Sequence, residues 1–206
     1  MRKHIVGAVC LVLLSVANLI AQPDSTYFRL VSRAKTGDTT VDYTQMRMSY
    51  TETDLYSPYG GRAYMDSARK AMDKKEYAEA MNYLNEELER NFVNIDAHFM
   101  AFFALRRLED TARADRHKYF YQALIKSVLA SGDGSAESPW TVISTKEEYA
   151  VINYYNLKFK KQTLRGINGH SCDVMETIDP ETREEYTLHF NVDIPLKSMS
   201  RLLKKE

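Results

Sequence analysis

At residue 132 the chain changes its period. Upstream, apolar residues recur at helical spacing, first as Tyr64, Ala68, Ala71 and Met72 and then as Tyr77, Ala80, Met81, Leu84 and Leu88. Downstream, after the breaker-rich stretch "GDGSAESP" (132–139), Trp140 to Ile143 reads as a short strand, and three longer β-like runs follow: Lys158 to Gly166, His170 to Thr177 and Glu185 to Asp193. A helix buries a stripe and a strand buries a face, so the two textures form separate layers. The order predicts an α+β fold, with helical hairpins followed by a helix and a small antiparallel three-stranded sheet. "DKKEY" reads as a tight polar turn between the first two helices. "IDAHFMAFFALRRL" is apolar nearly all round and predicts a helix buried on most sides. Thr111 is placed to cap a fourth helix carrying Phe120, Ala123, Leu124 and Val128. A further helix with capping-box character opens at Ser144, with Glu147 or Glu148 placed to reach back.

The start of the chain bears on location. Arg2 and Lys3 precede an apolar run from Ile5 to Ile20, too short to span a bilayer comfortably, and a small residue then leads into polar sequence. That pattern predicts a secretory signal peptide over 1–21, cleaved after Ala21, with Ala17 as the alternative. Residues 22–131 then carry an N-terminal segment and the helices, 132–139 link, and 140–206 form the α/β part packed on the helices. The expected product is exported, periplasmic or extracellular, with no stable membrane insertion. The whole chain balances 28 basic against 28 acidic residues, and losing Arg2 and Lys3 tips it slightly acidic. Nucleic-acid binding draws on a basic surplus that this chain lacks. Cys10 leaves with the signal, so Cys172 remains as a lone thiol and no internal disulfide forms.

Between the signal and the helices, a short helix is expected to run to about Lys35, capped within Asp24 to Thr26 and stopped by Gly37. "TTVDYTQMRMSYTETDLYSPYGG" reads as mostly irregular, with one helical turn from Thr44 to Ser49. Tyr43, Tyr50, Tyr56 and Tyr59 are expected to pack over the helices; an aromatic sugar-binding platform is the alternative.

The stretch "YMDSARKAMDKKEYAEAMNYLNEELERNF" resembles one tetratricopeptide repeat, through Tyr64, Ala68, Tyr77, Ala80 and Leu84. Lys75, Glu87 and Phe92 depart from that pattern, standing where it has glycine, alanine and proline. The whole layout also resembles an uncharacterised family of secreted bacterial proteins, a domain of unknown function. That resemblance rests on "DYTQMRMSYTETDLYSPYG", "ISTKEEYAVINYY" and "GHSCDV". It implies an exported α+β protein and brings no activity and no catalytic residues.

"GINGHSCDVM" looks like a reactive site, because it sets a cysteine between a histidine and an aspartate. Asn168-Gly169 signals a hairpin. A bare two-residue turn would set Leu164 against Asp173 and bury charge. Polarity matching therefore selects a three-residue loop with Leu164 opposite Cys172. In the next hairpin it pairs Cys172 with Phe190, Val174 with Leu188 and Asp173 with His189. That register predicts a buried Cys172 on the face opposite His189, which excludes a thiol–imidazole pair and a metal held by His170, Cys172 and His189.

No catalytic residue, metal or cofactor is expected. Glu86-Glu87, Glu147-Glu148 and Glu184-Glu185 are adjacent residues that point apart. His98 reads as a satisfied helix histidine and His117 as part of a solvated basic face. Lys158, Lys160, Lys161 and Arg165 read as the charged guard of an edge strand. The expected function is a non-enzymatic binding module for a protein or peptide, with Asn82, Asn85 and Glu86 as the binding residues. A hydrolase or glycan-binding protein using a cleft between helices and sheet is one alternative. A structural component of an envelope assembly is the other.

Overall fold

Asp42, Asn94 and Asp110 each accept a hydrogen bond from the backbone amide three residues on, and each starts a helix. The bonds run from Gln45 N at 2.9 Å, Ala97 N at 3.1 Å and Arg113 N at 3.1 Å. The computed structural model describes residues 26–60 and 62–203. The expected signal peptide and the Asp24 and Ser25 cap lie outside these residues. Eight helices appear among them: α1 (Thr26–Lys35), α2 (Tyr43–Tyr50), α3 (Arg62–Asp73), α4 (Tyr77–Arg90), α5 (Ile95–Arg107), α6 (Thr111–Leu129), α7 (Thr145–Tyr154) and α8 (Asp193–Leu203). Three of these differ from expectation. Asp110 caps α6, so Thr111 is its first turn and not its cap. The single turn expected near Thr44 is a capped helix, and α8 has no counterpart in the sequence reading.

Helix α3 packs on α4, α4 on α5 and α5 on α6. Their shared core is built from small residues, Ala68, Ala97, Ala101, Ala104 and Ala114, between Met65, Leu84, Leu88 and Leu105. Alanines let the helix axes approach closely. A second core joins α1, α2 and the C-terminal half of α6 to α7 and the sheet, through Leu30, Met46, Leu124, Val128, Val151, Met175 and Phe190. Helix α6 contributes to both. The α5 surface corrects an expectation, because Phe99 and Phe103 are 40% and 44% exposed and the helix is not buried on most sides.

The sheet has four strands and is mixed. Its strands are β1 (Trp140–Thr141), β2 (Lys158–Ile167), β3 (His170–Ile178) and β4 (Glu185–Asn191), in the order β1-β4-β3-β2. β1 runs parallel to β4, while β2–β3 and β3–β4 are antiparallel. The short strand expected within Trp140 to Ile143 is present as β1, but its place in the sheet was not expected, because it is two residues long and pairs with a strand far along the chain.

The expected hairpin register is overturned. Asn168 and Gly169, with φ of 49° and 83°, make a bare two-residue turn between Ile167 and His170. Leu164 therefore opposes Asp173, and Arg165 opposes Cys172. Polarity matching failed because β2 is an edge strand exposed along most of its length. Its Leu164 is 57% exposed and carries no information about the core face. β3 fails for the opposite reason: Cys172, Asp173, Val174 and Met175 are all buried, so the strand is covered on both faces. The β3–β4 register slips by one accordingly, pairing Cys172 with Asn191, Asp173 with Phe190, Val174 with His189 and Met175 with Leu188.

Residues 132–139 fold back on Trp140. The indole Nε1 donates to Gly132 O at 3.0 Å, and the amides of Asp133 and Gly134 donate to Ser138 O at 2.9 and 3.0 Å. Gly134 has φ of 79°, and a Cβ there would stand 2.6 Å from the Trp140 ring, so only glycine fits.

Candidate functional site

Arg47 is fully buried, and every nitrogen of its guanidinium has a partner. Nε and Nη2 grip Glu147 at 2.8 and 2.6 Å, Nη1 donates to Ser127 O at 3.1 Å, and Nη2 also reaches Thr141 O at 3.1 Å. Glu147 also accepts from Ile143 N at 2.9 Å. One side chain from α2 thus ties together α6, β1 and α7. A buried pair this fully satisfied holds the scaffold in register and leaves no group free for chemistry.

The next residue faces another way. Glu148 is fully buried, and no donor reaches either of its carboxyl oxygens. Burial first, then the charges of Asp173 and Glu147, push it up to about 9. It therefore keeps its proton at neutral pH, near Asp173. Asp173 takes Gln162 Nε2 at 2.6 Å; burial raises it, and Gln162 and Glu148 pull it back. The two acids stand buried between α7 and β3.

His98 on α5 is spent in the same manner. Its Nε2 donates to Phe92 O at 2.7 Å, which leaves Nδ1 to accept from His117 Nδ1 at 3.0 Å. Burial, more than any charge, holds His98 near a pKa of about 3 and His117 near about 4. His117 is therefore the half-buried member of a neutral pair with His98, while its neighbours Arg116 and Lys118 are exposed.

Cys172 is a free, buried thiol, but its surroundings differ from expectation. Leu188 and Phe190 lie on the face of Asp173, whereas His170, His189 and Cys172 share the other. The argument from opposite faces therefore fails. What separates these groups is their hydrogen bonding. His170 Nδ1 pairs with Asp193 Oδ2 at 2.8 Å and His189 Nδ1 with Gly134 O at 3.2 Å. Among the described residues, no cluster of three or more His, Cys, Asp or Glu could hold a metal ion.

Cavities of about 250, 350 and 180 Å³ open beside the α2–α3 loop, beside α1 and beside α8, and two others bear on a site. One, between the α2–α3 loop, α5 and α7, is lined by Tyr56, Asn91, Asp96 and Lys146, and its volume is about 20 Å³, room for about one water. The other is a groove of about 360 Å³ where the 132–139 loop, the end of α7 and the β3–β4 turn meet. Trp140, Tyr155, Leu157, Tyr186 and Leu188 line it, with Asp133 and Asp179 at its edges. Trp140 and Tyr155 stack at 6.1 Å, and the Tyr186 hydroxyl donates to Glu184 at 2.6 Å. The size is that of a ligand site, and its lining is mostly apolar with few polar groups.

Asn82, Asn85 and Glu86 are exposed on α4 and line neither cavity. The N-terminal tyrosines are committed to packing. Tyr43 is buried edge-on against Tyr119, Tyr50 donates to Leu55 O at 3.0 Å, and Tyr56 donates to Ile143 O at 2.6 Å. The aromatic groove escaped the sequence reading because its rings come from three separate segments. Its one available signal was Trp140, the single tryptophan of the chain, placed directly after a glycine-rich loop. Among the described residues no helix is long and apolar enough to cross a membrane.

A family model described as a domain of unknown function (DUF4919) matches residues 15–201. No curated protein matches the chain, and no solved structure does.

Proposed function

The chain belongs to the DUF4919 family of unknown function, and on that footing we propose that it is an exported, non-enzymatic module that binds a protein or peptide. The observation that carries this reading is the aromatic ridge of α5. Phe99 and Phe103 stand exposed, 4.8 Å apart, and continue through Phe102 at 5.0 Å and Tyr121 at 5.0 Å. Adjacent exposed rings of this size are costly to leave in water and usually mark a contact surface. The tetratricopeptide-like character of α3 and α4 and the exposed Asn82, Asn85 and Glu86 fit the same reading, since stacked helical hairpins present faces to partners.

The aromatic groove favours a second reading, a hydrolase or a glycan-binding protein. The hydrolytic form of it is the weaker. A glycosidase acid must hold a proton near neutrality, whereas hydrogen bonds from Ser135 hold Asp133 below the usual carboxylate range.

The test is an affinity capture of the tagged full chain from lightly cross-linked producing cells, read by mass spectrometry. A stoichiometric protein partner is expected. Phe99→Ser with Phe103→Ser should lose it, and so should Asn82→Ala with Asn85→Ala and Glu86→Ala if α4 shares the contact. Retention by both sets of variants, or no partner at all, overturns the proposal.

A further inference from the structure

We propose that the groove walled by Trp140, Tyr155 and Tyr186 holds a cationic side chain, arginine or lysine, of the bound polypeptide. This rests on the binding-module reading and names the chemistry of the partner.

Three features point to a cation. The first is the walls. Tyr155 and Tyr186 are 45% and 41% exposed, with Tyr155 stacked on Trp140 and Tyr186 held by its bond to Glu184. Exposed faces of aromatic rings attract cations through their quadrupole. The second is the state of those faces. Elsewhere the protein covers rings with its own cations: Lys35 over Phe92, Arg90 over Tyr64 and Lys118 over Phe102. Among the described residues no lysine or arginine covers Trp140, Tyr155 or Tyr186.

The third is the charge at the edges. Asp133 and Asp179 line the groove, and among the described residues neither makes an ion pair. Both are already aimed by the backbone. Asp133 Oδ1 accepts from Ser135 N at 2.9 Å, and Asp179 Oδ1 accepts from Glu181 N at 2.7 Å and Thr182 N at 3.1 Å. Each therefore presents fixed negative charge at little further entropic cost. Leu157 and Leu188, half-buried between rings and acids, match the methylene stem that arginine and lysine carry below their charge. A neutral sugar would use the rings but would leave both carboxylates without a countercharge.

Because Trp140 is the only tryptophan in the sequence, its fluorescence reports on this groove alone. The full exported chain is titrated with N-acetyl-arginine amide and N-acetyl-lysine amide. N-acetyl-citrulline amide, N-acetyl-glutamate amide and a neutral hexasaccharide are run beside them. A saturable change in Trp140 emission in the millimolar range is expected with at least one of the two cations. It should weaken at least tenfold in Asp133→Asn with Asp179→Asn, because asparagine keeps the turn hydrogen bonds and loses the charge. Far-UV circular dichroism checks that this variant folds. Equal response to citrulline and arginine, response to the hexasaccharide, binding unchanged in the asparagine variant, or silence with both cations would each overturn the proposal. If the affinity capture succeeds while this titration fails, only the cation assignment falls.

Discussion

A buried carboxyl that no donor reaches must keep its own proton, and in Glu148 this sets the sign of a pH dependence. Its ordinary value is 4.5 and its folded value about 9. The folded protein therefore binds more protons than the unfolded chain between those limits, and stability falls as pH rises through that window. Asp173, also raised by burial, adds to the effect in the same direction. Glu148→Gln replaces the titrating carboxyl with an uncharged amide of nearly the same shape. The variant should gain ~4 kcal/mol on the parent between pH 5 and pH 8, with most of the gap closed at the lower pH. Urea unfolding at the two pH values checks this, and a gap that does not depend on pH would refute the retained proton of Glu148. None of this was legible in "STKEEY". Adjacent glutamates point apart, as the sequence says, but what each one meets depends on tertiary placement. Glu147 meets an arginine 100 residues away, and Glu148 meets an aspartate on a strand whose register the sequence misassigned.

Helix interiors were readable from period alone, and helix ends were not, because most of them lack the expected glycine. Lys75, Glu109 and Asn156 stand in the left-handed region with φ of 63°, 61° and 55°, just beyond α3, α5 and α7. Each is followed by an amide that reaches back to close the last turn: Glu76 N to Ala71 O at 2.8 Å, Asp110 N to Leu105 O at 3.0 Å and Leu157 N to Ile152 O at 3.0 Å. Only α1 ends in the usual manner, with Gly37 at φ of 88°. A lysine in this conformation costs ~1 kcal/mol relative to glycine. Lys75→Gly should therefore raise stability by about that amount, less a few tenths for the greater freedom of the unfolded chain. Asn156→Gly should be nearly neutral, since asparagine already tolerates the conformation. Urea midpoints at constant m-value give the comparison, and a loss of stability in Lys75→Gly would mean that its side chain makes a contact worth more than the strain. The strands show the converse. β2 and β3 were located correctly as runs, but their register needed one face in water and one in the core. The edge strand is exposed on most positions and the central one is covered on both faces, so neither carried that signal.

At the scale of the whole molecule, the succession of helices and then a sheet was legible, and so was the short run at Trp140, while helix α8 and the pairing of that run with β4 were not. β1 is two residues long, and the contacts of β1 with β4 and of α8 with β3 are set by the fold and not by local pattern. The two cores raise the question of whether the helices and the sheet unfold together. Helix α6 supplies Ala114 to the first core and Phe120, Leu124, Ile125 and Val128 to the second. An uninterrupted helix of 19 residues cannot lose one half of its packing and keep the other half in place. The Arg47–Glu147 bridge ties α2, the C-terminal half of α6, β1 and α7 together within the second core, so that core responds as a body to what α6 does. The molecule should therefore unfold as one unit. Leu84→Ala tests this, since Leu84 is fully buried in the first core and Trp140 reports from the second. Truncating a buried leucine costs ~2–5 kcal/mol. If α6 couples the cores, the transition seen by Trp140 fluorescence shifts by that full amount and stays superimposed on the transition seen by far-UV circular dichroism. If the helices melt first while Trp140 keeps its native emission, the cores are independent, and a contact on the α5 ridge could not be felt in the groove through the folding equilibrium.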